Sequence, residues 1–280
     1  MKLIAFLLFA VVIVSSSSVA SESSVSIGIS GGYVVLMHSG IFNFTNPEFS
    51  SKEYGQLRYS FSSGEGFRAA VNGVFTLDKA DRFSLASCIE YSNISSKSDN
   101  AGESYPLRLP DGEPILTETY YRNKYSQEAI SIDFDIRYKP FENNNFGGLI
   151  GMVGSYIVSN SYRFTYNIVF NPNNPGIPFS NKKERETAIV TPLDMEPIVK
   201  DFIPRYTDET RTSILFYEGE LPDINPLQVS LRAGIFYDFT IKGIILSPSI
   251  VYHFPLTRIS SSQDWKVSQL IGAFDVRIPL

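Results

Sequence analysis

Several residue types that carry chemistry are scarce in this chain of 280 residues. It has one cysteine, Cys88, two histidines and one tryptophan. A single cysteine excludes an intramolecular disulfide framework and a metal centre built from several cysteines. Basic residues number 24 against 29 acidic ones, a formal net charge of −5. This balance argues against nucleic acid as a partner.

Long hydrophobic runs are also scarce, because the only one is Leu3 to Val14. It is too short for a membrane-spanning helix, and a serine-rich segment ending in Ser18-Val19-Ala20 follows it. This pattern predicts a secretory signal peptide over residues 1–20 and a single domain over residues 21–280. The sequence contains no stretch of eighteen apolar residues, which excludes helical membrane spans.

The chain is instead rich in phenylalanine (21) and tyrosine (16), and apolar residues recur at every second position. In residues 127–139, for example, Ile132, Phe134 and Ile136 alternate with Asp133, Asp135 and Arg137. Alternation of this kind places the two sets on opposite faces of a β-strand. Eight such segments are found, at residues 24–37, 66–77, 83–92, 127–139, from 146, 227–238, 243–254 and 265–280.

The connections between these segments alternate between short and long until the last pair. The short ones are residues 78–82, 140–145 and 239–242, and the longest is an insertion at about 158–226. This asymmetry predicts an all-β, closed, antiparallel, up-and-down transmembrane barrel of eight strands, with short periplasmic turns and long extracellular loops. A soluble sandwich or lipocalin would share the alternation but not the sorting of its loops. Residues 161–170 and 211–217 also have strand character, so a ten-stranded barrel is the alternative.

Aromatic residues are expected to form a girdle at each end of the barrel, where rings lie at the level of lipid headgroups. At the short-turn end these are Phe75, Phe83, Tyr138, Phe141, Phe146, Tyr237 and Phe239. At the long-loop end they are Tyr91, Tyr125, Tyr156, Tyr252, Phe254 and Trp265.

A family resemblance rests on three stretches: LDKADRFSLA at 77–86, EGELPDINPLQVSLRAGIFYDF at 218–239 and DWKVSQL at 264–270. With the alternating tail that follows, their order resembles small outer-membrane β-barrel proteins of the Bacteroidota, Chlorobi and Ignavibacteria group. The resemblance implies a place in the bacterial outer membrane, in contact with lipid and lipopolysaccharide. In such families the last strand is also the signal that the barrel-insertion machinery reads. Its hydrophobic residues here are Phe274, Val276, Ile278 and Leu280, although the final residue is not aromatic.

If the apolar faces meet lipid, the opposite faces line a lumen that an eight-stranded barrel fills with its own side chains. Unpaired charges there would be costly, whereas arginine and carboxylate satisfy one another. We therefore predict a lumen ion-pair network of Arg68, Glu90, Asp133, Asp135, Arg137, Arg232, Asp275 and Arg277.

Signals for catalysis are weak. The two histidines, His38 and His253, are expected at the long-loop end, where His253 with Ser247 or Ser249 and Glu90 would be a conceivable site. No nucleophile motif accompanies them, and we predict no catalytic, cofactor-binding or metal-binding residues. The leading hypothesis is a non-enzymatic membrane anchor whose loops make external contacts with a ligand that the sequence leaves unidentified. The alternatives are a narrow porin-like channel and a lipid-modifying enzyme.

Overall fold

The computed structural model of the chain describes residues 24–42, 57–58, 63–78, 80–101, 105–108, 114–141, 145–169, 205–206, 213–221, 223–261 and 264–280. The signal peptide expected over residues 1–20 and most of the insertion at 158–226 lie outside these ranges. The extent of the single domain therefore stays a prediction. No helix in the described part of the chain is long and apolar enough to cross a membrane.

Eight long strands form the wall of a closed ring, and every pair of neighbours is antiparallel. In chain order they are β1 Val25–Phe42, β2 Ser63–Thr76, β3 Phe83–Ala101, β4 Pro114–Tyr138, β5 Phe146–Val169, β6 Leu227–Tyr237, β7 Ile244–Pro255 and β8 Asp264–Pro279. Each strand pairs with the next along the chain, and β8 pairs with β1 from Ser26↔Pro279 to Ile41↔Asp264. The predicted fold class, a closed up-and-down β-barrel, is confirmed.

In the described ranges, five shorter strands extend the wall outside this ring. Leu57–Arg58 pairs with β1, Tyr105–Arg108 with β4, and Phe239–Ile241 with β7. Ser213–Gly219 pairs with the far part of β5, and Arg205–Tyr206 pairs with Ser213–Gly219. The insertion therefore adds strands that extend the wall beyond the ring, and eight strands close the ring.

Across the ring, side chains alternate between the two faces of the wall, and the outer face is apolar there. Ile29, Val71, Ile136 and Ile150 are 64%, 64%, 52% and 63% exposed, whereas Asp135 and Arg137, on either side of Ile136, are buried on the inner face. The exposed apolar stretches are Ile27–Met37, Phe67–Leu77, Phe83–Tyr91, Ile130–Tyr138, Phe146–Tyr156, Leu227–Tyr237, Ile244–Phe254 and Leu270–Leu280. Each is about nine to eleven residues long, the length of a tilted strand that crosses a bilayer. Together they form a band about 25 Å tall around the barrel, here named the apolar band.

Three strands continue well beyond the apolar band at the long-loop end. β3, β4 and β5 reach Ala101, Pro114 and Val169, further than the alternation of apolar residues predicted. Beyond Tyr91 both faces of β3 are mostly polar, so the hydrophobic period disappears while the backbone pairing continues. A bulge opposite Glu128 and Ala129 adds one residue to β5 and exchanges the faces of the residues after it.

Pro248 lies inside β7. Because proline has no backbone N–H, the hydrogen-bonded ladder between β7 and β6 is interrupted there. The ladder runs to Phe236↔Ser249, skips two positions, and resumes in the same register at Phe239↔Leu246. The backbone N–H of Asp238, at the interruption, donates instead to the carbonyl of Asn145 at 2.9 Å. This places the Asp238 carboxylate at the short-turn end of the interior.

Candidate functional site: the barrel interior and its long-loop end

The central part of the interior holds two arginines and three carboxylates in contact. Arg68 Nη2 lies 2.9 Å from Glu90 Oε2. Arg232 forms a salt bridge with Asp133, and its Nε lies 3.3 Å from Asp135 Oδ1. All five side chains are less than a tenth exposed. Because buried ions are stable only with partners of opposite charge, this pairing is what allows them inside the wall.

A second group of charges lies at the short-turn end around Asp238. Its Oδ1 accepts hydrogen bonds from Arg137 at 3.0 Å and Arg277 at 2.7 Å, and Lys139 Nζ lies 3.2 Å from Oδ2. Burial alone would raise the pKa of Asp238. Arg137, Arg277, the Ser247 hydroxyl and Lys139 outweigh burial and hold that pKa below its ordinary value.

All eight residues of the predicted ion-pair network therefore lie on the inner face, and seven of them form ion pairs. The eighth, Asp275, lines a cavity with Asp135 and Arg232, and among the described residues it has no basic partner within 4.0 Å. The prediction missed Asp238 and Lys139. Position alone could have identified Asp238, because the outward residues of β6 carry odd numbers and an even number faces inward.

Small residues make room for the charged side chains. A Cβ built on Gly151 would lie 2.2 Å from the Asp135 carboxylate, and one on Gly28 would lie 2.7 Å from Arg277 Cγ. These distances are shorter than real Cβ atoms allow. The glycines in β1 and β5 therefore let the ionic side chains fill the interior.

Apolar side chains fill the interior beyond the ion pairs. Val34, Leu36, Ile94, Val251 and Ile271 form one buried cluster, each at most 2% exposed. The long-loop end holds a second cluster, here named the mouth cluster, which consists of Tyr125, Tyr162, Phe164, Leu221, Ile259 and Trp265.

The prediction that Trp265 and Tyr125 belong to an outer aromatic girdle is wrong, because both lie in the mouth cluster inside the barrel. Trp265 and Tyr125 are 0% and 2% exposed, and their rings meet edge to face at 5.1 Å inside the barrel. Both have odd numbers on strands whose outward residues are even, so the alternation turns them inward. Tyr91, Tyr156 and Phe254 do lie on the outer face, as predicted.

Two loop segments fold over the long-loop end and supply Leu221 and Ile259. The N–H of Leu221 donates to Asn160 Oδ1 at 2.7 Å, and the N–H of Ile259 donates to the carbonyl of Trp265 at 2.9 Å. The segments are joined by the bond from Asn225 N–H to the carbonyl of Ile259 at 2.7 Å. The mouth cluster is therefore held by backbone hydrogen bonds as well as by apolar contact.

The histidines are not on an accessible surface, which corrects their expected place. His38 is 5% exposed, stacks on Trp265 at 5.5 Å and accepts a hydrogen bond from its indole N–H at 3.1 Å. His253 is 4% exposed and shares a cavity with Glu90. Ser247 lies instead in the group at the short-turn end, where it accepts a hydrogen bond from Arg137 at 3.1 Å. The structure thus separates Ser247 from the conceivable catalytic set.

Among the described residues, small cavities lie within the filled interior. The one beneath the mouth cluster has about 20 Å³ for the centres of water molecules, and the one around Arg232 has about 40 Å³. About 10–15 Å³ accommodates one water. The cavities can therefore hold a few waters each and are too small for an organic substrate.

Among the described residues, one group of side chains has the composition of a metal site. Ligand atoms of Cys88, Glu90 and Asp133 lie within 4.8 Å of one another. The Cys88 thiol donates to Asp133 at 3.0 Å, and Arg68 and Arg232 already pair with the two carboxylates. These two guanidiniums supply the positive charge that a metal ion would bring.

The four residues of the expected insertion signal lie in one row on the outer face of β8. Phe274, Ile278 and Leu280 are 44%, 58% and 77% exposed, and Val276 is partly exposed between them. The row is therefore accessible from outside the ring.

A closed up-and-down barrel with an apolar exterior and a charged, filled interior has the architecture of small outer-membrane β-barrel proteins. No protein-family model and no curated protein matches the sequence. Among solved structures, Neisserial surface protein A is similar at 10% identity and a TM-score of 0.34, over 91% of this chain and 97% of that one. Ail, the attachment invasion locus protein of Yersinia pestis, is similar at 10% identity and a TM-score of 0.30, over 90% and 98%. The fold itself is established by the closed ring of antiparallel strand pairs.

Proposed function

We propose that this chain is a non-enzymatic integral protein of the bacterial outer membrane, in which the barrel is an anchor and the extension of β3, β4 and β5 makes external contacts. The observation that carries the proposal is the apolar band. Each of its eight stretches exposes alternate large apolar side chains, and the band has the height of a hydrocarbon core. A water-soluble barrel of this size would bury such side chains, because exposing a contiguous apolar surface to water is unfavourable.

The filled interior supports an anchor over a channel. Ion pairs occupy the centre and the short-turn end, a cluster of aliphatic side chains follows them, and the mouth cluster covers the long-loop end. Between these layers the cavities hold only a few water molecules. Hydrated ions would find no continuous path through the layers that the described residues form.

The buried histidines argue against a lipid-modifying enzyme. Such an enzyme needs its catalytic groups at the edge of the barrel, where they reach the lipid. His253 is 4% exposed and faces the interior. The resemblance to barrels of the Bacteroidota, Chlorobi and Ignavibacteria group supports the outer membrane as the location.

Membrane fractionation followed by a gel-shift assay tests the location. We expect the protein in the outer-membrane fraction, with folded barrels migrating differently from the same sample after boiling. Recovery of a folded, detergent-free chain from the soluble periplasmic fraction would contradict the proposal.

Planar-bilayer recording of the refolded protein tests the closed interior. We expect near-zero conductance at moderate voltage. Large, steady single-channel currents would instead favour the porin-like alternative.

A further inference from the structure

Three neighbouring strands carry positive side chains in one row on the outer face, beyond the apolar band. Lys97 of β3 lies opposite Lys124 of β4, which lies opposite Arg163 of β5. We name these three residues the basic row. Two positions closer to the apolar band, a serine row in the same register consists of Ser95, Ser126 and Ser161.

The basic row is electrostatically unfavourable on its own. Like charges directly opposite one another in a sheet are destabilising. Asp99 lies 3.6 Å from Lys97, and Glu218 lies 3.7 Å from Arg163, but these pairs are exposed and contribute little. Asp99 also binds Arg122, at 2.7 Å. Among the described residues, Lys124, at the centre of the row, has no acidic partner within 4.0 Å.

The position of the two rows limits which molecules can contact them. Six residues separate the basic row from Tyr91 at the edge of the apolar band, which is about 20 Å along the strand and about 15 Å of height in a tilted wall. The serine row lies about 10 Å above the band by the same reasoning. Both rows face sideways, away from the barrel axis. At that height the lateral neighbours of an outer-membrane barrel are the headgroups of the surrounding glycolipid.

We infer that the basic row and the serine row bind phosphate groups on the headgroup sugars of the outer-leaflet glycolipid. Lysine supplies point charges, arginine supplies a fork of N–H donors, and serine hydroxyls donate further hydrogen bonds to phosphate oxygens. Bound phosphate would remove the repulsion along the basic row. This inference rests on the proposed outer-membrane location.

The test is binding of purified lipopolysaccharide, truncated to its phosphorylated inner core, to the full-length mature protein in phosphatidylcholine vesicles. The variant is K97Q/K124Q/R163Q. Its control, R82Q/K242Q, removes positive charge from partly exposed and exposed positions at the short-turn end, away from the outer-leaflet glycolipid. A positive charge near an anionic lipid surface changes the binding affinity about fivefold. Because the variant removes three such charges, we expect its affinity for lipopolysaccharide to fall on the order of a hundredfold. We expect the control variant to bind like the unmodified protein.

Two further samples identify the source of the phosphate. Chemically dephosphorylated lipopolysaccharide should bind the unmodified protein as weakly as intact lipopolysaccharide binds the variant. Inorganic phosphate at the same concentration should not displace the glycolipid, and displacement would overturn the assignment to a lipid. Equal losses in variant and control, or no loss in either, would overturn the inference. If binding fails while the unmodified protein still fractionates with the outer membrane and shows the gel shift of a folded barrel, the inference fails and the proposed location stands.

Discussion

Replacing Asp238 with asparagine removes the carboxylate that Arg137 and Arg277 share at the short-turn end. Asparagine has nearly the same shape, and the change removes the charge and replaces one acceptor oxygen by an N–H donor. The Asp238 side chain is 12% exposed, and Arg137 and Arg277 are 5% and 3% exposed. Solvent screening is therefore weak, and removing one partner of a buried ion pair costs about 3–5 kcal/mol. We expect D238N to lower the free energy of unfolding by that amount at neutral pH.

The pH dependence of this loss gives a second, independent check. The pKa of Asp238 is lower in the folded state than its ordinary value of 3.8. Its ionisation therefore stabilises the fold fully above that ordinary value, and the stabilisation is lost as the pH falls through the folded pKa. The difference between D238N and the unmodified protein should shrink as the pH is lowered below about 4.

Urea unfolding in lipid vesicles measures both effects, with fluorescence of the single, buried Trp265 as the probe. The matched control is D81N. Asp81 also contacts Lys139, at 2.6 Å, but its side chain is 60% exposed. Its backbone has φ 52°, which asparagine tolerates. We expect the control to lose at most about 1 kcal/mol. A loss for D238N as small as the control's, or one that persists unchanged in acid, would refute the reasoning.

Three further predictions concern the apolar band, the mouth cluster and the last strand. F134R places a charge at mid-height of the apolar band and should cost about 2–4 kcal/mol in vesicles, whereas F134L should cost about 1 kcal/mol; equal unfolding midpoints in urea would contradict this. W265A removes the largest buried side chain of the mouth cluster and should lower the free energy of unfolding by about 3–5 kcal/mol. The temperature at which the gel shift is lost should fall, and an unchanged temperature would be evidence against tight packing of the mouth cluster. L280D changes the final residue of the expected insertion signal and should slow assembly in cells; assembly at the normal rate in a pulse-chase experiment would disprove that role.

The sequence predicted the barrel because alternation of apolar residues reports directly on the faces of a strand. All eight strands were found, and the charged residues of the predicted network lie on the inner face. The same alternation, followed past the apolar residues, would also have turned Trp265, Tyr125 and His253 inward. Their residue types favoured a place at the outer edge of the barrel, but their positions along the strands direct their side chains to the inner face.

Other features depend on contacts that no local pattern encodes. The bulge opposite Glu128 and Ala129 exchanges the faces of β5 beyond it, so that Tyr162 and Phe164 point inward and Arg163 outward. Leu221 and Ile259 come from loops, and only the closed ring brings them over the same opening. The strand extension was missed because it has polar residues on both faces.

The orientation of the two faces can be measured directly by fluorescence quenching in vesicles whose lipids carry bromine on the acyl chains. In a W265F background, a tryptophan replaces either Phe134, which is 49% exposed at mid-height of the band, or Phe236, which is 2% exposed inside the ring. If the apolar band faces hydrocarbon, the F134W signal is strongly quenched and the F236W signal is not. Quenching of F236W with F134W unaffected would contradict the membrane-facing orientation.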